Sequence, residues 1–563
     1  MIQRQSLLIL PAAFLFLLVL PTALLYGAEA DQTLHADEND LQWFRDAKFG
    51  LFIHWGPVSL KGTEIGWSRG GDRKFPDSRG SQVPAEVYDN LYQEFNPTKF
   101  NADEWAAVAK AAGMKYLVFT TKHHDGFCMF DSQLSDYKIT NSPFKRDVVK
   151  ELADACHKAN LKLGFYHSPP DWRHPDYFTE NHERYIQYLH GQVRELCSNY
   201  GKVSILWYDG LGGKPEDWGS YEMIPMVYKM QPGILINNRA GLPCDYDTPE
   251  QRVGKFQNDR AWETCMTICQ QWAWKPDDRL KSLKECIDIL VRTVGGDGNL
   301  LLNVGPMPTG EIEPRQVDRL KEIGAWLKKY GRTIYNTRGG PFITGSWGGS
   351  TYRGDMVFLH VVDWDDRESI LLPKIDKTIV SSRVLTGGEA SIRETEKGIE
   401  VVVPSDQRDE LDTIIALRLD GPARDVPAMA LPLFHSLSSG REAQCSNVYQ
   451  NNNWAHGPAK AFDDDASTRW ATDSGVKQAW LSVDLGEPKT FDRAVIREAY
   501  DRVQEFELQI KQGDSWKPFY QGRTIGEKKT IQFDPVTGRH VRLQILDAKD
   551  GPTIWEFQIF EAK

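Results

Sequence analysis

The 563-residue chain is too long for a single hydrophobic core, and its length predicts two to four domains. The formal net charge is −11 at pH 7 and the Lys and Arg residues are scattered along the sequence, so nucleic acid and anionic membrane surfaces are not expected partners. Aromatic residues make up 11% of the chain, and 18 of them are Trp, which fills cores and also stacks on ring-shaped ligands.

An apolar run from Leu7 to Tyr26 begins the chain and is followed by Gly27-Ala28-Glu29-Ala30. An apolar run before small residues is typical of an export signal, which we place at residues 1–30. An uncleaved membrane anchor is the alternative, because the run approaches the length of a bilayer span. We therefore expect a secreted or periplasmic protein, with no membrane contact beyond this segment.

From about residue 40 to residue 335, short apolar segments alternate with segments of helical period, as in a parallel sheet with crossover helices. The predicted fold class is α/β, a (β/α)8-like TIM barrel, and an open sheet is the alternative. The predicted strands are 49–54, 115–121, 161–167, 203–209, 233–238 and 299–303. The predicted helices are 102–112, 145–159, 180–199, 278–294 and 314–330.

Polar residues lie at or just beyond the carboxyl ends of these strands. In a barrel those ends converge on the face that carries the chemistry. One or two polar strand ends are ordinary caps, whereas this many predict a functional site. They are His54, His123, His124, His167, Asp209, Asn237, Arg239 and Asn303.

The adjacent pair His123 and His124 suits metal binding, proton exchange or hydrogen bonding to neutral hydroxyls. Zinc needs three or four ligands, and no HxH, HExxH or Cys set accompanies the pair. Hydroxyl binding is the favoured interpretation. Structural histidines and a metal-dependent hydrolase are the alternatives. The eight Cys residues include no CxxC pair and predict neither a disulfide framework nor a zinc site.

Asp209 ends the apolar segment ILWYD and precedes Gly210, so a strand fixes the carboxylate while the glycine leaves room for a ligand. This position suits a nucleophile, and it equally suits a turn or a helix cap. A retaining glycosidase needs a second carboxyl about 5 to 5.5 Å away. Glu250 and Glu263 are the two downstream candidates, and both have ordinary alternatives as surface or ion-paired residues.

Alternating apolar and polar segments predict an antiparallel β-domain at 341–425 and, after a Pro-rich linker, a β-sandwich at 435–562. The catalytic barrel is placed at 38–340. These ranges, with residues 1–30, are the predicted domain organisation.

Five segments together resemble glycoside hydrolase family 29, the retaining alpha-L-fucosidases. They occur in order between about residues 40 and 340. The resemblance implies exo-acting hydrolysis of terminal alpha-linked fucose by double displacement, no cofactor for catalysis, and fucosylated oligosaccharides or glycoconjugates as substrates. The segments are FGLFIHWG (49–56), TKHHDGF (121–127), LWYDG (206–210), WETC (262–265) and GNLLLNVGPMPTGEI (298–312).

Carried over by position, this resemblance makes Asp209 the nucleophile. The separation of Glu64 from Trp67 by two residues resembles the subgroup that prefers branched alpha-1,3 or alpha-1,4 linked fucose. The acid/base varies in position between subgroups. We expect Glu250, with Glu263 as a supporting residue, and Glu263 as acid/base is the alternative. The expected sugar contacts are His54, Glu64, Trp67, His123, His124, Tyr166 and Arg239.

The segments AKAFDDDASTRWAT and AWLSVDLG resemble a discoidin (coagulation factor 5/8 C-type) domain, similar to carbohydrate-binding modules of family 32. Such domains commonly hold a structural calcium, and Asp463, Asp465, Thr468 and Glu556 are the expected oxygen ligands. A solvated acidic turn is the alternative. The domain is expected either to bind glycan or to act as a spacer.

The predicted function is therefore an exo-acting retaining alpha-L-fucosidase. A catalytically silent glycan-binding protein and a transfucosidase are the alternatives. The retention of Asp209 with two candidate acids argues against a silent binder. The sequence predicts no particular oligomeric state.

Overall fold

The computed structural model describes residues 35–76, 79–80, 82–364, 367–431, 436–465 and 468–562. The predicted export signal at residues 1–30 lies outside these ranges. No helix within them is long and apolar enough to cross a membrane. The eight Cys residues all fall inside these ranges, and each is a free thiol.

Eight parallel strands form the first sheet, in the order β5-β4-β3-β2-β1-β8-β7-β6. A parallel bridge between Asn237 and Tyr246 joins the two edge strands, so the sheet is a nearly closed barrel and the predicted fold class is confirmed. The strands are β1 (Phe49–Ile53), β2 (Tyr116–Lys122), β3 (Lys162–His167), β4 (Ile205–Tyr208), β5 (Leu235–Ile236), β6 (Tyr246–Asp247), β7 (Ala261–Thr267) and β8 (Asn299–Val304).

Local sequence sets the ends of the helices around the barrel. The side chains of Asn101 and Asp147 accept the N–H three residues on, and Ser282 forms a capping box with Glu285. The helices are α1 (Glu38–Ala47), α2 (Ala85–Tyr88), α3 (Ala102–Ala111), α4 (Val148–Ala159), α5 (His182–Asn199), α6 (Pro215–Trp218), α7 (Ser220–Met230), α8 (Leu283–Gly295) and α9 (Pro314–Tyr330).

Large aromatic side chains fill the interior of the barrel, including Phe52, Tyr116, Tyr166 and Trp207. Gly50 on β1 makes room for one of them, because a Cβ there would lie 2.4 Å from the ring of Tyr116. The interior is therefore a packed core that forms the floor of the catalytic face.

Antiparallel strands follow the barrel and form a five-stranded sheet, ordered β9-β10-β11-β16-β13, and a three-stranded sheet, ordered β12-β15-β14. Their inward side chains make a separate core that includes Leu359, Val401 and Leu417. The strands are β9 (Arg338–Gly339), β10 (Gly348–Arg353), β11 (Met356–Val361), β12 (Ser369–Leu372), β13 (Ile379–Val384), β14 (Ser391–Thr395), β15 (Gly398–Val402) and β16 (Thr413–Leu419).

The C-terminal strands form a further antiparallel assembly with its own core, which includes Leu481, Phe506 and Leu543. Its order is β18-β23-β19-β22-β20-β21, with β17 paired to β19. Register shifts bend the two 20-residue strands, as a discoidin-like sandwich requires. The strands are β17 (Ala443–Cys445), β18 (Trp470–Ala471), β19 (Ala479–Glu498), β20 (Val503–Gln512), β21 (Ser515–Arg523), β22 (Lys529–Ala548) and β23 (Thr553–Glu561), and a short helix α10 (Asn453–His456) precedes β18.

Candidate active site

A pocket opens at the carboxyl ends of the barrel strands and encloses about 440 Å³, including its mouth. Seven of the expected site residues line it: His54, Trp67, His123, Tyr166, Asp209, Arg239 and Glu250. The other lining residues are Phe52, Trp207, Leu211, Cys265 and Trp272.

Asp209 follows β4 and projects into this pocket with 13% of its side chain exposed. Its Oδ2 accepts a hydrogen bond from the Tyr166 hydroxyl at 3.0 Å, and its Oδ1 accepts one from Arg239 Nη1 at 3.1 Å. Burial opposes ionisation, yet the charge of Arg239 and these hydrogen bonds hold the pKa of Asp209 below its ordinary value. Asp209 is therefore an ionised carboxylate, fixed in direction, at neutral pH.

Arg239 joins Asp209 to a second carboxylate. The same Nη1 atom lies 3.1 Å from Asp209 Oδ1 and 2.8 Å from Glu250 Oε2. Because one nitrogen contacts both oxygens, those oxygens lie less than about 6 Å apart. This upper limit is below the roughly 6.5 Å at which the inverting range begins, and it is compatible with the spacing of about 5 to 5.5 Å in retaining glycosidases.

The segment that carries Glu250 is fastened to the barrel from two sides. Arg239 donates to Thr248 Oγ1 and to Thr248 O, each at 2.9 Å. The main chain of Cys265 on β7 donates to Pro249 O and accepts from Gln251 N. Glu250 keeps a 41% exposed side chain, so this carboxyl faces the mouth of the pocket while Asp209 lies at its base.

Glu263 lies beneath the pocket and does not line it. It is fully buried on β7 and accepts hydrogen bonds from the Tyr116 hydroxyl at 2.5 Å and from Trp207 Nε1 at 3.0 Å. Burial raises the pKa of Glu263 to about 7, although both hydrogen bonds act to lower it. The ring of Trp207 in turn stacks on Tyr166 and lies 4.6 Å from the Arg239 guanidinium. Glu263 thus supports the residues that hold Asp209.

His54 presents a neutral imidazole to the pocket. Its Nδ1 lies 2.7 Å from Asn303 Oδ1, and Asn303 Nδ2 donates to Trp272 O at 2.8 Å. The amide orientation therefore makes Nδ1 the donor and leaves Nε2 as an acceptor. Burial lowers the pKa of His54 to about 4, so the ring stays neutral at physiological pH.

His124 is neutral for the same reason, since burial lowers its pKa to about 4. Its Nδ1 lies 2.6 Å from Ser168 Oγ, which itself donates to Pro170 O, so Nε2 is again the acceptor. His124 Nε2 lies 3.5 Å from Asp209 Oδ2, and His124 does not line the pocket wall.

His123 stacks on Tyr166, with the ring planes inclined by only 7°. Burial holds its pKa well below the ordinary value. Gly66 passes directly against this ring with φ of +64°, and a Cβ at Gly66 would lie 2.5 Å from His123 Nδ1. The glycine between Glu64 and Trp67 is therefore required by the close approach of this loop to the site.

Glu64, one of the expected sugar contacts, lies behind the pocket wall. Its carboxylate accepts main-chain hydrogen bonds from Trp272 at 2.9 Å, from Ala273 at 3.0 Å and from Ile65 at 3.0 Å, and the residue does not line the pocket. Burial removes water from this carboxylate, and the three backbone N–H groups replace the hydrogen bonds that water would donate to it. Glu64 holds the loop of Trp272, whose ring packs on His54 and does line the pocket.

Other polar strand ends hold the barrel together. Asn237 exchanges two hydrogen bonds with the main chain of Tyr208, and His167 Nδ1 lies 3.0 Å from Thr121 Oγ1. Trp67 instead forms part of the rim, with 38% of its side chain exposed and its ring next to Trp172.

Sequence reasoning missed five lining residues. Trp207 is two residues before Asp209, and strand alternation places both on one face. Trp207 could therefore have been predicted to line the site. Cys265 could have been predicted in the same way, because it is two residues after Glu263 on the same strand. Trp272 lies in a loop after β7, and no sequence pattern directs a loop residue into a pocket.

In the described ranges, no group of three or more His, Cys, Asp or Glu side chains is arranged to hold a metal ion. In the C-terminal sandwich, Asp463 accepts hydrogen bonds from Thr468 Oγ1 at 2.8 Å. Glu556 is 3% exposed, and both of its carboxylate oxygens are buried with no hydrogen-bond partner in the described part of the chain. Burial and the nearby charges of Asp464, Asp463 and Asp465 raise the pKa of Glu556 well above its ordinary value.

A barrel pocket with two close carboxylates, neutral imidazole acceptors and aromatic walls is the site of a glycoside hydrolase that binds a neutral sugar. Residues 25–332 match the alpha-L-fucosidase family model, and residues 442–557 match the F5/8 type C domain model.

Known relatives agree with this class. Plasma alpha-L-fucosidase of Homo sapiens is 33% identical over 323 residues, which cover 52% of this chain and 69% of that protein. Alpha-L-fucosidase isoenzyme 1 from Paenibacillus thiaminolyticus is similar in structure, with a TM-score of 0.61, 36% identity, and coverage of 68% of this chain and 99% of that chain. A family 29 alpha-L-fucosidase from Bacteroides thetaiotaomicron, solved as a trapped covalent intermediate with 2-fluoro-fucosyl fluoride, has a TM-score of 0.61, 28% identity, and coverage of 69% and 97%.

The chain belongs to the alpha-L-fucosidase family, glycoside hydrolase family 29, and carries a C-terminal F5/8 type C domain. Its activity is that of an alpha-L-fucosidase, and fucosylated glycans are the substrates of this family.

Proposed function

We propose that the protein is a retaining exo-alpha-L-fucosidase in which Asp209 is the nucleophile and Glu250 the acid/base. The observation that carries this proposal is the single Arg239 nitrogen in contact with both carboxylates, at 3.1 Å and 2.8 Å. The trapped covalent intermediate of the Bacteroides relative supports the same two-step chemistry. The packed aromatic core closes the floor of the pocket, which suits a terminal sugar.

In the first step, Asp209 attacks the anomeric carbon as the bond to the leaving oxygen breaks and Glu250 gives that oxygen its proton. In the second step, Glu250 takes a proton from water, the water oxygen bonds to the anomeric carbon, and Asp209 is released. Tyr166 and Arg239 keep the attacking carboxylate ionised and aimed. Each step inverts the anomeric centre, so the product retains its configuration.

A neutral imidazole suits a hydroxyl of fucose, because His54 lines the pocket and offers an acceptor nitrogen at neutral pH. The methyl group of fucose requires an apolar wall, which Phe52, Trp207 and Trp272 supply. Glu263 supports the Trp207 side of this wall from beneath.

We further propose a preference for alpha-1,3 or alpha-1,4 linked fucose in branched glycans. The exposed ring of Trp67, beside Trp172 and the Arg73 guanidinium, extends the rim beyond the pocket. This aromatic surface suits stacking of the sugars next to fucose. The spacing of Glu64 and Trp67 supports the same preference.

The test measures products from an aryl alpha-L-fucoside and from alpha-1,2 and alpha-1,3/1,4 linked oligosaccharides in the presence of azide. Asp209→Gly with azide is expected to give fucosyl azide of inverted configuration, because a single displacement occurs. Glu250→Ala with azide is expected to give the retained azide from the aryl substrate, whose leaving group needs no acid. Rescue of Glu263→Ala in place of Glu250→Ala would contradict the assignment. An inverted product from the wild-type enzyme would contradict double displacement.

We also propose that Glu556, with Asp463, Asp465 and Thr468, binds a structural calcium ion. Two buried carboxylate oxygens without a donor are costly unless a cation or a proton neutralises them. Calcium prefers carboxylate and carbonyl oxygens, and main-chain carbonyls would complete a set that side chains alone do not form. The ion would neutralise the acidic group and take no part in fucose transfer.

We also propose that the C-terminal sandwich binds glycan and that the protein is exported. Trp454 of α10 is 88% exposed, and an exposed Trp is the usual platform for a sugar ring. The sequence of residues 1–30 supports export.

A further inference from the structure

A groove lined by four arginines lies on the side of the molecule away from the active site. Arg332 follows α9, and barrel helices end at the face opposite the carboxyl ends of the strands. Arg353, Arg383 and Arg418 come from β10, β13 and β16 of the five-stranded sheet. The groove encloses about 780 Å³, including its open part. We name these four residues the arginine groove.

Strand register directs the arginines of the sheet to the same face. Arg418 pairs across the sheet with Met356 and with Ser381, and Ala416 pairs with Phe358 and with Arg383. Side chains two residues apart on a strand share a face, so these residues share one surface. The intervening residues Val357, Leu359 and Leu417 point into the core. The result is an apolar floor with guanidiniums around it.

Three of the four guanidiniums have no partner in the part of the chain that the structure describes. Arg418 donates to Asp355 at 3.0 Å. Among the described residues, the side chains of Arg332, Arg353 and Arg383 form neither a hydrogen bond nor an ion pair. By contrast, the exposed guanidinium of Arg146 lies against the carboxylate of Glu151. In a chain of net charge −11, a group of unneutralised arginines is a local exception.

We propose that the arginine groove binds an anionic polysaccharide, a glycan chain that carries sulfate or carboxylate groups. Guanidiniums spaced around a groove match repeated anionic groups, since Arg binds such oxyanions in a bidentate manner. Ser381 and Ser382 add hydroxyls that suit the sugar hydroxyls between these groups. The choice of a glycan over other polyanions rests on the alpha-L-fucosidase activity. The presence of the groove and its charge does not depend on that activity.

Nucleic acid is the less favoured occupant. Single-stranded nucleic acid is bound by basic surfaces that also offer exposed aromatic rings for base stacking. Phe358 is the aromatic residue that lines the groove, and it is 4% exposed and lies under the floor. The groove therefore offers charge and hydroxyls without a stacking platform.

The groove is remote from the pocket, so polysaccharide binding and fucose release are separable. A polymer held there keeps the enzyme on a charged glycan matrix while the opposite face processes terminal fucose. Loss of the groove should leave hydrolysis of a small substrate unchanged, and loss of the active site should leave polymer binding unchanged.

The test measures retention of the full chain on dextran sulfate, on polygalacturonate and on neutral dextran at low salt, by affinity electrophoresis. The double variant Arg353→Glu with Arg383→Glu is compared with Lys150→Glu and Lys158→Glu, exposed residues of α4 that give the same change in net charge. We expect the groove variant to lose at least about tenfold in affinity for the anionic polymers, and the α4 variant to lose much less. Hydrolysis of an aryl fucoside should be equal in all three proteins.

Equal losses in both double variants would overturn the proposal, because they would indicate a general effect of charge. Wild-type binding to neutral dextran as strong as to dextran sulfate would overturn it as well. Tighter binding to single-stranded DNA than to the anionic polysaccharides would assign the groove to nucleic acid instead. Arg353→Gln with Arg383→Gln, which adds no negative charge, should show an intermediate loss.

Discussion

Three carboxyl groups of one chemical type are given different properties by their surroundings. Asp209 is buried but meets Arg239 and Tyr166, so it stays ionised. Glu263 is buried against neutral donors, and its pKa rises to about 7. Glu250 stands at the pocket mouth on a segment held by Arg239. These environments suit the proposed roles of nucleophile, supporting residue and proton donor, as in other pairs of catalytic carboxyls.

Glu263→Gln should weaken the dependence of stability on pH. A carboxyl whose pKa is raised from 4.5 to about 7 favours the folded state when protonated, and this contribution is lost as pH rises through about 7. The shift corresponds to on the order of 3 kcal/mol between acidic and alkaline pH. The decrease in the melting temperature of the barrel from pH 5 to pH 8 should therefore be smaller in the variant.

Glu263→Gln also distinguishes a supporting role of Glu263 from a role in proton transfer. If Glu263 only supports Trp207, the kcat/KM of Glu263→Gln at pH 5 should remain within about tenfold of the wild-type value, whereas Glu250→Gln should lose at least about a hundredfold. A larger loss in Glu263→Gln than in Glu250→Gln, together with rescue by azide, would make Glu263 the acid/base.

At the scale of elements, strongly periodic segments could be predicted and weak ones could not. Six barrel strands and five helices follow from apolar runs and caps. β6 is only two residues long. In β7 the polar residues Glu263, Thr264 and Thr267 interrupt the apolar residues, so neither strand has the apolar run that marks a buried strand. β6 and β7, which the sequence did not predict, are important for the site, because β7 contains Glu263 and its main chain binds the segment of Glu250. Tertiary contacts, which a sequence pattern does not contain, define these elements.

Glu64→Gln should impair the loop of Trp272 rather than remove a sugar contact. The amide nitrogen of Gln would face a main-chain N–H, so one buried donor loses its acceptor, at a cost of about 1–3 kcal/mol. Because Trp272 lines the pocket, we expect KM for an aryl fucoside to rise more than kcat falls. Steady-state kinetics and the melting temperature measure these effects.

A double-mutant cycle provides the control for Glu64. In a Trp272→Ala background, Glu64→Gln should add little to the rise in KM, because the positioned ring is already absent. Additive effects of the two substitutions on KM would instead show that Glu64 contacts the sugar directly.

At the scale of the whole molecule, a few charged contacts connect the three assemblies. Lys284 of α8 donates to Val362 O and Leu411 O, and Arg497 of the sandwich contacts Asp363 at 2.6 Å. On the barrel face opposite the pocket, Asp297 lies against Lys48 and against Arg338 at the start of the five-stranded sheet. Sequence analysis missed these contacts because the partners lie far apart in the chain.

Asp297→Asn should destabilise the barrel and its junction with the following sheet. The charges of Lys48 and Arg338 hold the pKa of Asp297 below its ordinary value despite burial. Its stabilising effect is therefore present above the pKa of the unfolded chain and is lost as pH falls through the folded value. Removal of one partner of a buried ion pair costs about 3–5 kcal/mol. Thermal unfolding at pH 7 should show this loss, and the difference from wild type should shrink at acidic pH.

Calcium should stabilise the C-terminal sandwich without changing hydrolysis. No donor among the described residues reaches the buried oxygens of Glu556, and the neighbouring acidic residues raise the cost of ionising it. A bound cation removes both costs, and saturation at 100 times Kd would add about 2.7 kcal/mol of stability to this domain. Chelation should therefore lower the melting transition of the sandwich and leave aryl fucoside hydrolysis unchanged. In Glu556→Gln that transition should no longer respond to calcium, whereas Glu487→Gln, an exposed carboxylate of the same domain, should respond as wild type does. An equal response to calcium in Glu556→Gln and in wild type would place the ion elsewhere.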